Sequence, residues 1–304
     1  TYHANPQAAT ATFSIIGFSG MGKTSLLERA LRRYPQVVFH HKLGLTQVVW
    51  LKINIPQDGS VKGLILGFFA ALRTALRDRS VAREATKWLS VDELVPLMVQ
   101  YAASYSVGVI VVDEMQNLAA KRSMGQSVLL NALEAIANEV KVPEVLVGTM
   151  KARRLLRSDF RHARKSLSNG SFDWEPMTAG SQWEKFLGAM WPYQWTDEEA
   201  PLTPDMSAHF LDLTQGIVAL VPLLFGLAQM RAIAYQEKTI TREVVDTVMA
   251  NELKALHPML DALRTNDPRK IAQFEDIWPA NLYDMLDEHQ YLAEQRLARS
   301  LKKR

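Results

Sequence analysis

The 304 residues are 48% hydrophobic with a net charge of +3, enough apolar material for one large domain and a smaller one. With no cysteine, disulfides and thiolate metal sites are excluded, and the composition points to a cytoplasmic protein. No run reaches the roughly 18 apolar residues of a membrane span, because the longest, residues 216–230, contains Pro222, Gly226 and Gln229, so no membrane partner is expected. The start, Thr1-Tyr2-His3-Ala4, has neither an initiator Met nor a signal-peptide pattern, so the sequence is expected to begin inside a longer polypeptide.

The first predicted element is a strand, Phe13 to Ile16, and it runs into Gly17-Phe18-Ser19-Gly20-Met21-Gly22-Lys23-Thr24-Ser25. That stretch fills the phosphate-binding pattern G-x-x-x-x-G-K-[ST] in its expected context, strand before and helix after. Gly17, Ser19, Gly20, Met21 and Gly22 would turn successive N–H groups inward, and the helix start adds its positive dipole end. Lys23 would reach the β- and γ-phosphates of ATP, Thr24 would offer its hydroxyl to Mg²⁺, and Ser25 closes the loop.

The pattern predicts a helix from Lys23 to Tyr34, ended by Pro35, then strands over Val37–His40 and Val48–Ile55. Helical spacing over Ser60–Arg79 places Arg73 and Arg77 on one face at i, i+4. After a helix near 91–105 comes Val109-Ile110-Val111-Val112-Asp113-Glu114, a β-branched run ending in two acids, as a buried parallel strand delivers them to its C-terminal edge. There Asp113 would hold Mg²⁺ and Glu114 would polarise the attacking water. A helix over Gln126–Glu139 and a strand over Glu144–Thr149 follow, and Thr149 stands where a hydroxyl touches either the γ-phosphate region or the next helix as its cap.

Residues 151–165 form a helix candidate with Arg153, Arg157, Arg161 and Arg164 in a basic stripe, and Phe172–Trp174 reads as a last short strand. Three helical stretches follow, near 203–214, 217–235 and 241–256. The alternation of strand and helix predicts an α/β fold with a wound parallel sheet, followed by a small all-helical lid. The expected division is 1–200 for the nucleotide-binding domain, 201–257 for the lid and 258–304 for a C-terminal helical extension.

The positive charge is concentrated. Residues 151–165 hold seven basic side chains against Asp159, and residues 73–87 hold Arg73, Arg77, Arg79, Arg83 and Lys87 against Asp78 and Glu84. Those five, with loop residues Lys121 and Arg122, are the candidate contacts to a DNA backbone. Solvated basic helix faces are the alternative reading.

Together the phosphate loop, the strand ending in Asp-Glu, the strand ending in Gly148-Thr149 and the helical C-terminal region resemble an AAA+ ATPase. More narrowly, the segments from Tyr34-Pro35-Gln36 to His40-His41, from Trp50-Leu51-Lys52 to Gly59-Ser60, and Val147-Gly148-Thr149 resemble the TnsC/TniB transposition regulators. The resemblance implies an ATP- and Mg²⁺-dependent ATPase, slow and regulatory, that self-associates as a ring or filament on duplex DNA and links a target-selector protein to a transposase. It matches Lys23 and Thr24 to the phosphate and metal positions, Asp113 and Glu114 to the acidic pair, and Thr149 to the first sensor. Arg161 or Arg164 falls in the region of the arginine that a neighbouring subunit supplies. The lid region Leu213–Val218 departs from the AAA+ pattern by lacking an arginine. A helicase loader or replication initiator of the same superfamily, and a nucleotide-gated protein scaffold that binds no DNA, remain as alternatives.

Overall fold

The computed structural model describes residues 12–120, 139–153 and 170–274. The chain divides into two compact units, one comprising Thr1–Gly17 and Lys23–Trp174, the other Phe18–Gly22 and Glu175–Arg304.

The first unit contains strand β1 (Thr12–Gly17), helix α1 (Lys23–Leu31), the strands β2 (Val37–His40), β3 (Leu45–Val48) and β4 (Trp50–Asn54), and helices α2 (Val61–Leu76) and α3 (Val91–Ser104). Strands β5 (Val109–Asp113), β6 (Glu144–Gly148) and β7 (Ser171–Trp174) complete it. Five strands form one sheet in the order β4-β5-β6-β1-β7, every pairing parallel, while β2 and β3 make a separate antiparallel hairpin. The chain leaves β1 to one side of the sheet and returns to its other side only with β7, so the C-terminal end of β1 lies at a point where the winding reverses. Open α/β sheets bind ligands at such points.

Period-two alternation assigns the two faces of this sheet. Leu27 of α1 packs with Val111 and Val147, joined by Ile15, Leu31 and Val145, while Ile16, Leu51, Ile53, Ile110, Val112 and Leu146 face the larger core with α2 and α3. α2 buries Leu64, Ile65, Phe68, Phe69 and Leu72, each stabilising by about 1.5–3 kcal/mol on transfer from water. Ser60 caps its start by accepting from the Gly63 N–H at 2.8 Å, and Ser90 with Glu93 forms a capping box on α3. At the end of β1, a Cβ on Gly17 would lie 2.5 Å from the Trp174 carbonyl oxygen of β7, so only glycine fits there.

Several sequence expectations are corrected. α1 stops at Leu31, three residues before Tyr34. The single strand expected over Val48–Ile55 is two: Val48 pairs antiparallel with Val37, and after Val49 the chain turns into β4 alongside β5. α2 stops at Leu76, and Arg77 takes the left-handed conformation at φ 53°, its N–H closing onto the Arg73 and Thr74 carbonyls. Arg73 and Arg77 therefore share no helix face. Arg73 instead donates to the carbonyls of Val81 and Ala82 at 3.4 and 3.2 Å. The helix expected over 126–139 lies almost wholly outside the described residues.

The second unit is helical: α4 (Ser181–Met190), α5 (Pro204–Thr214), α6 (Leu220–Tyr235), α7 (Arg242–Asn251), α8 (His257–Arg264) and α9 (Pro268–Phe274). α6 is its axis, buried at ten positions from Leu220 to Ala234. Trp183 of α4 is fully buried, with its indole N–H donating to Ser207 of α5 at 2.9 Å, and Trp191 packs edge-on to Phe210. No helix among the described residues is long and apolar enough to cross a membrane.

Candidate functional site

The C-terminal edge of the sheet gathers Lys23, Asp113 and Thr149, three of the polar side chains that the first unit buries. Lys23, the first residue of α1, is 9% exposed and donates from Nζ to the Gly17 carbonyl at 2.8 Å, so the ammonium bridges the two ends of the loop. The next residue, Thr24, donates from Oγ1 to Asp113 Oδ2 at 3.0 Å. Asp113, at the end of β5, is 4% exposed, and its second oxygen accepts the Glu114 N–H at 2.9 Å. In the loop itself, Gly20 and Gly22 have φ of 75° and 81°, left-handed values that side chains other than glycine adopt at a cost. Within the second unit, the Gly20 carbonyl accepts the Ala219 N–H at 2.9 Å and Met21 is fully buried, so Met21 can serve the loop only through its backbone. Ser19 is half-buried and Ser25 exposed.

Glu114 stands at φ 62°, a backbone conformation costing about 1–3 kcal/mol for a residue of this size, and the surroundings hold it there. Besides the bond from its N–H to Asp113, its carbonyl accepts the Asn117 N–H at 2.9 Å, and its carboxylate accepts from the Gln116 side-chain amide. Burial, and secondarily the Asp113 charge, raise its pKa above the ordinary glutamate range, against the opposing pull of Gln116, Lys23 and Lys52. A carboxylate shifted toward neutrality is a better proton acceptor from water than an ordinary one.

Three residues here carried no motif. Gln116 uses its amide nitrogen on Glu114 and its amide oxygen to accept the Thr149 N–H at 3.2 Å, joining the acidic pair to the end of β6. Asn117 donates to the Ile55 carbonyl at 2.8 Å, fixing the same turn to the end of β4. Gln116 comes this near β6 because Gly148 lets the turn approach: a Cβ there would lie 2.8 Å from that of Met115. Lys52 of β4 ion-pairs with Asp113 at 3.3 Å and with Glu28 of α1 at 3.0 Å. Alternation along Trp50-Leu51-Lys52-Ile53-Asn54 was the available signal, since it turns Lys52 to the α1 face opposite the buried Leu51 and Ile53.

The structure thus brings together Gly17, Lys23, Thr24, Asp113, Glu114 and Thr149. Thr149 is 4% exposed. Arg161, Arg164, Lys121 and Arg122 lie outside the described residues. The remaining basic candidates fall elsewhere in the first unit: Arg77, Arg79, Arg83 and Lys87 are exposed on the segment after α2, while Arg73 is half-buried.

For Mg²⁺ the donor set fits. Thr24 Oγ1 and the Asp113 carboxylate are hard oxygens, and among the described residues no three His, Cys, Asp or Glu side chains cluster as a metal cage. A metal held by one or two protein oxygens, completed by phosphate and water, is how Mg²⁺ sits beside nucleotides.

Residues 10–156 match the family model described as an AAA domain. Among solved structures, the Aeropyrum pernix ORC1 protein in complex with DNA is similar at 19% identity and a TM-score of 0.55, covering 93% of this chain and 78% of that one. The Walker-type ATPase PABY2304 of Pyrococcus abyssi is similar at 15% identity and 0.53, covering 93% and 85%. The Aeropyrum pernix ORC2 protein, in ADPNP-ADP complexes, is similar at 12% identity and 0.53, covering 93% and 80%. No curated relative matches the sequence. The fold is the AAA+ P-loop fold, a five-stranded parallel sheet with helices.

Proposed function

We infer that this chain binds and slowly hydrolyses ATP, and that its nucleotide state controls self-association on duplex DNA in the regulation of transposition. The observation that carries the nucleotide reading is the contact of Thr24 with Asp113 beside the bridging Lys23 and the raised-pKa Glu114. Lys23 would exchange its bond to the Gly17 carbonyl for phosphate oxygens, and Thr24 and Asp113 would hold Mg²⁺. The metal supplies charge neutralisation on the phosphates. Glu114 would accept the proton of the attacking water at its carboxylate, with Gln116 fixing that carboxylate and Thr149 tied to the same amide. Arg161 or Arg164 of a neighbouring copy would offset charge on the transferring phosphoryl group.

Support for DNA as partner comes from the segment after α2. Its backbone is braced by Arg73, by Tyr101 donating to Glu84 at 2.7 Å and by the buried Val81, Ala82 and Ala85, while Arg77, Arg79, Arg83 and Lys87 face solvent. Trp88 is 83% exposed, with the Lys87 ammonium 5.0 Å from its ring centre. Fixed cations on an ordered loop suit a phosphate backbone and read no sequence. The link to a target selector and a transposase rests on the TnsC/TniB resemblance. Similarity to the ORC proteins supports a second reading, a replication-initiator-type ATPase.

Light scattering with ATP and duplex DNA tests the proposal. Mass should grow only when both are present, the growth should weaken steeply with salt, and random duplexes should serve equally. Absence of ATP-dependent growth would leave the scaffold reading, and strong preference for one duplex sequence would favour the initiator.

A further inference from the structure

Lys52 is a cation on a sheet face otherwise lined by apolar side chains. It occupies the α1-facing side of β4, a face otherwise packed through Ile15, Val111, Val145 and Val147, and its side chain is only 19% exposed. Its ammonium lies 3.3 Å from Asp113 Oδ2, the same oxygen that accepts the Thr24 hydroxyl, and 3.0 Å from Glu28 Oε1. Glu28 follows Thr24 by four residues on α1, one turn along the same face, and its side chain is 45% exposed. The positive charge is thus shared between a buried carboxylate at the metal position and a wetter one beside it.

That arrangement has opposing consequences for nucleotide loading. A lysine on Asp113 keeps the carboxylate and Thr24 in place and offsets buried negative charge without metal, but it is also a like charge beside any divalent cation held there. Glu28 offers a place of lower cost for the ammonium, reached by rotation of a flexible four-carbon stem. We propose that Lys52 is a built-in counter-cation of the metal position, which holds Asp113 in the metal-free protein and shifts onto Glu28 on loading with Mg²⁺-nucleotide, thereby setting how much Mg²⁺ the site requires. The proposal rests on the nucleotide reading above and concerns binding, not the rate of hydrolysis.

The two partners of Lys52 predict opposite effects, measured with a fluorescent N-methylanthraniloyl-ADP titrated with Mg²⁺. Lys52→Met should lower the half-saturating Mg²⁺ concentration about tenfold and weaken analogue binding in EDTA about fivefold. Glu28→Gln, at a half-exposed position, should confine the ammonium to Asp113 and raise the Mg²⁺ requirement about threefold. A merely structural brace between α1 and the sheet would lower the melting temperature of both variants and leave their Mg²⁺ half-saturation within about twofold of the wild type, which overturns the inference alone. A wild-type chain that binds no analogue at any Mg²⁺ concentration overturns the nucleotide reading, and this with it.

Discussion

The two units differ in where most of their charge lies. In the first, Lys23, Lys52, Asp113 and Glu114 are drawn into the edge of a sheet, where desolvation is expensive and each group must be matched. In the second, the pairs Arg242–Asp205, Lys238–Glu198 and Arg264–Asp212 stand in solvent and Arg231–Glu252 is largely buried, around a core built on α6, Trp183, Trp191 and Phe210. The contrast teaches where stability and chemistry are located: the helical unit is held by apolar packing, and the α/β unit gives up some stability to position ionised groups.

The largest test of this contrast is Trp183→Ala. Removing a side chain that is 1% exposed, together with the indole N–H that the Ser207 hydroxyl accepts, should cost about 3–5 kcal/mol in urea unfolding. A loss below about 1 kcal/mol would break the claim that this core carries the helical unit. A smaller effect of opposite sign belongs to Glu114→Gln. Because the folded-state pKa is raised, protonated Glu114 is compatible with the fold, and its contribution is lost as pH rises through that pKa. The variant should therefore melt about 1–3 °C above the wild type at neutral pH and converge with it in acid, below the ordinary glutamate range. A difference that persists in acid would point to packing and not to ionisation. Smallest is Arg242→Ala, which removes an ion pair with Asp205, 79% exposed, and should change stability by no more than about 0.5 kcal/mol at physiological salt.

The sheet was legible because its strands are β-branched runs that end in functional letters; β5 and β6 fell where alternation and the Asp-Glu and Gly-Thr endings placed them. β3 was hidden because Leu45-Thr46-Gln47 mixes polar and apolar residues on a hairpin whose sides are both only partly covered. The end of α2 was misplaced because Arg77, a good helix former, takes the left-handed cap that a glycine would have announced. Of the site, the residues with a fixed chemical duty were readable from spacing. Gln116, Asn117 and Lys52 were not, since their roles come from the strand ends that the parallel register brings beside them.

The contact between Gly17 and Trp174 changes what a loss-of-binding variant means. The motif's first letter answers to the neighbouring strand, the sixth to a left-handed turn and the seventh to the bond across the loop that phosphate is proposed to replace. Substituting Gly17 would push β7 away from β1, so nucleotide binding lost in that variant would measure damage to the sheet. Lys23, whose side chain meets β1 only through its bond to the Gly17 carbonyl and packs into neither strand pairing, is the position at which the same loss would measure recognition.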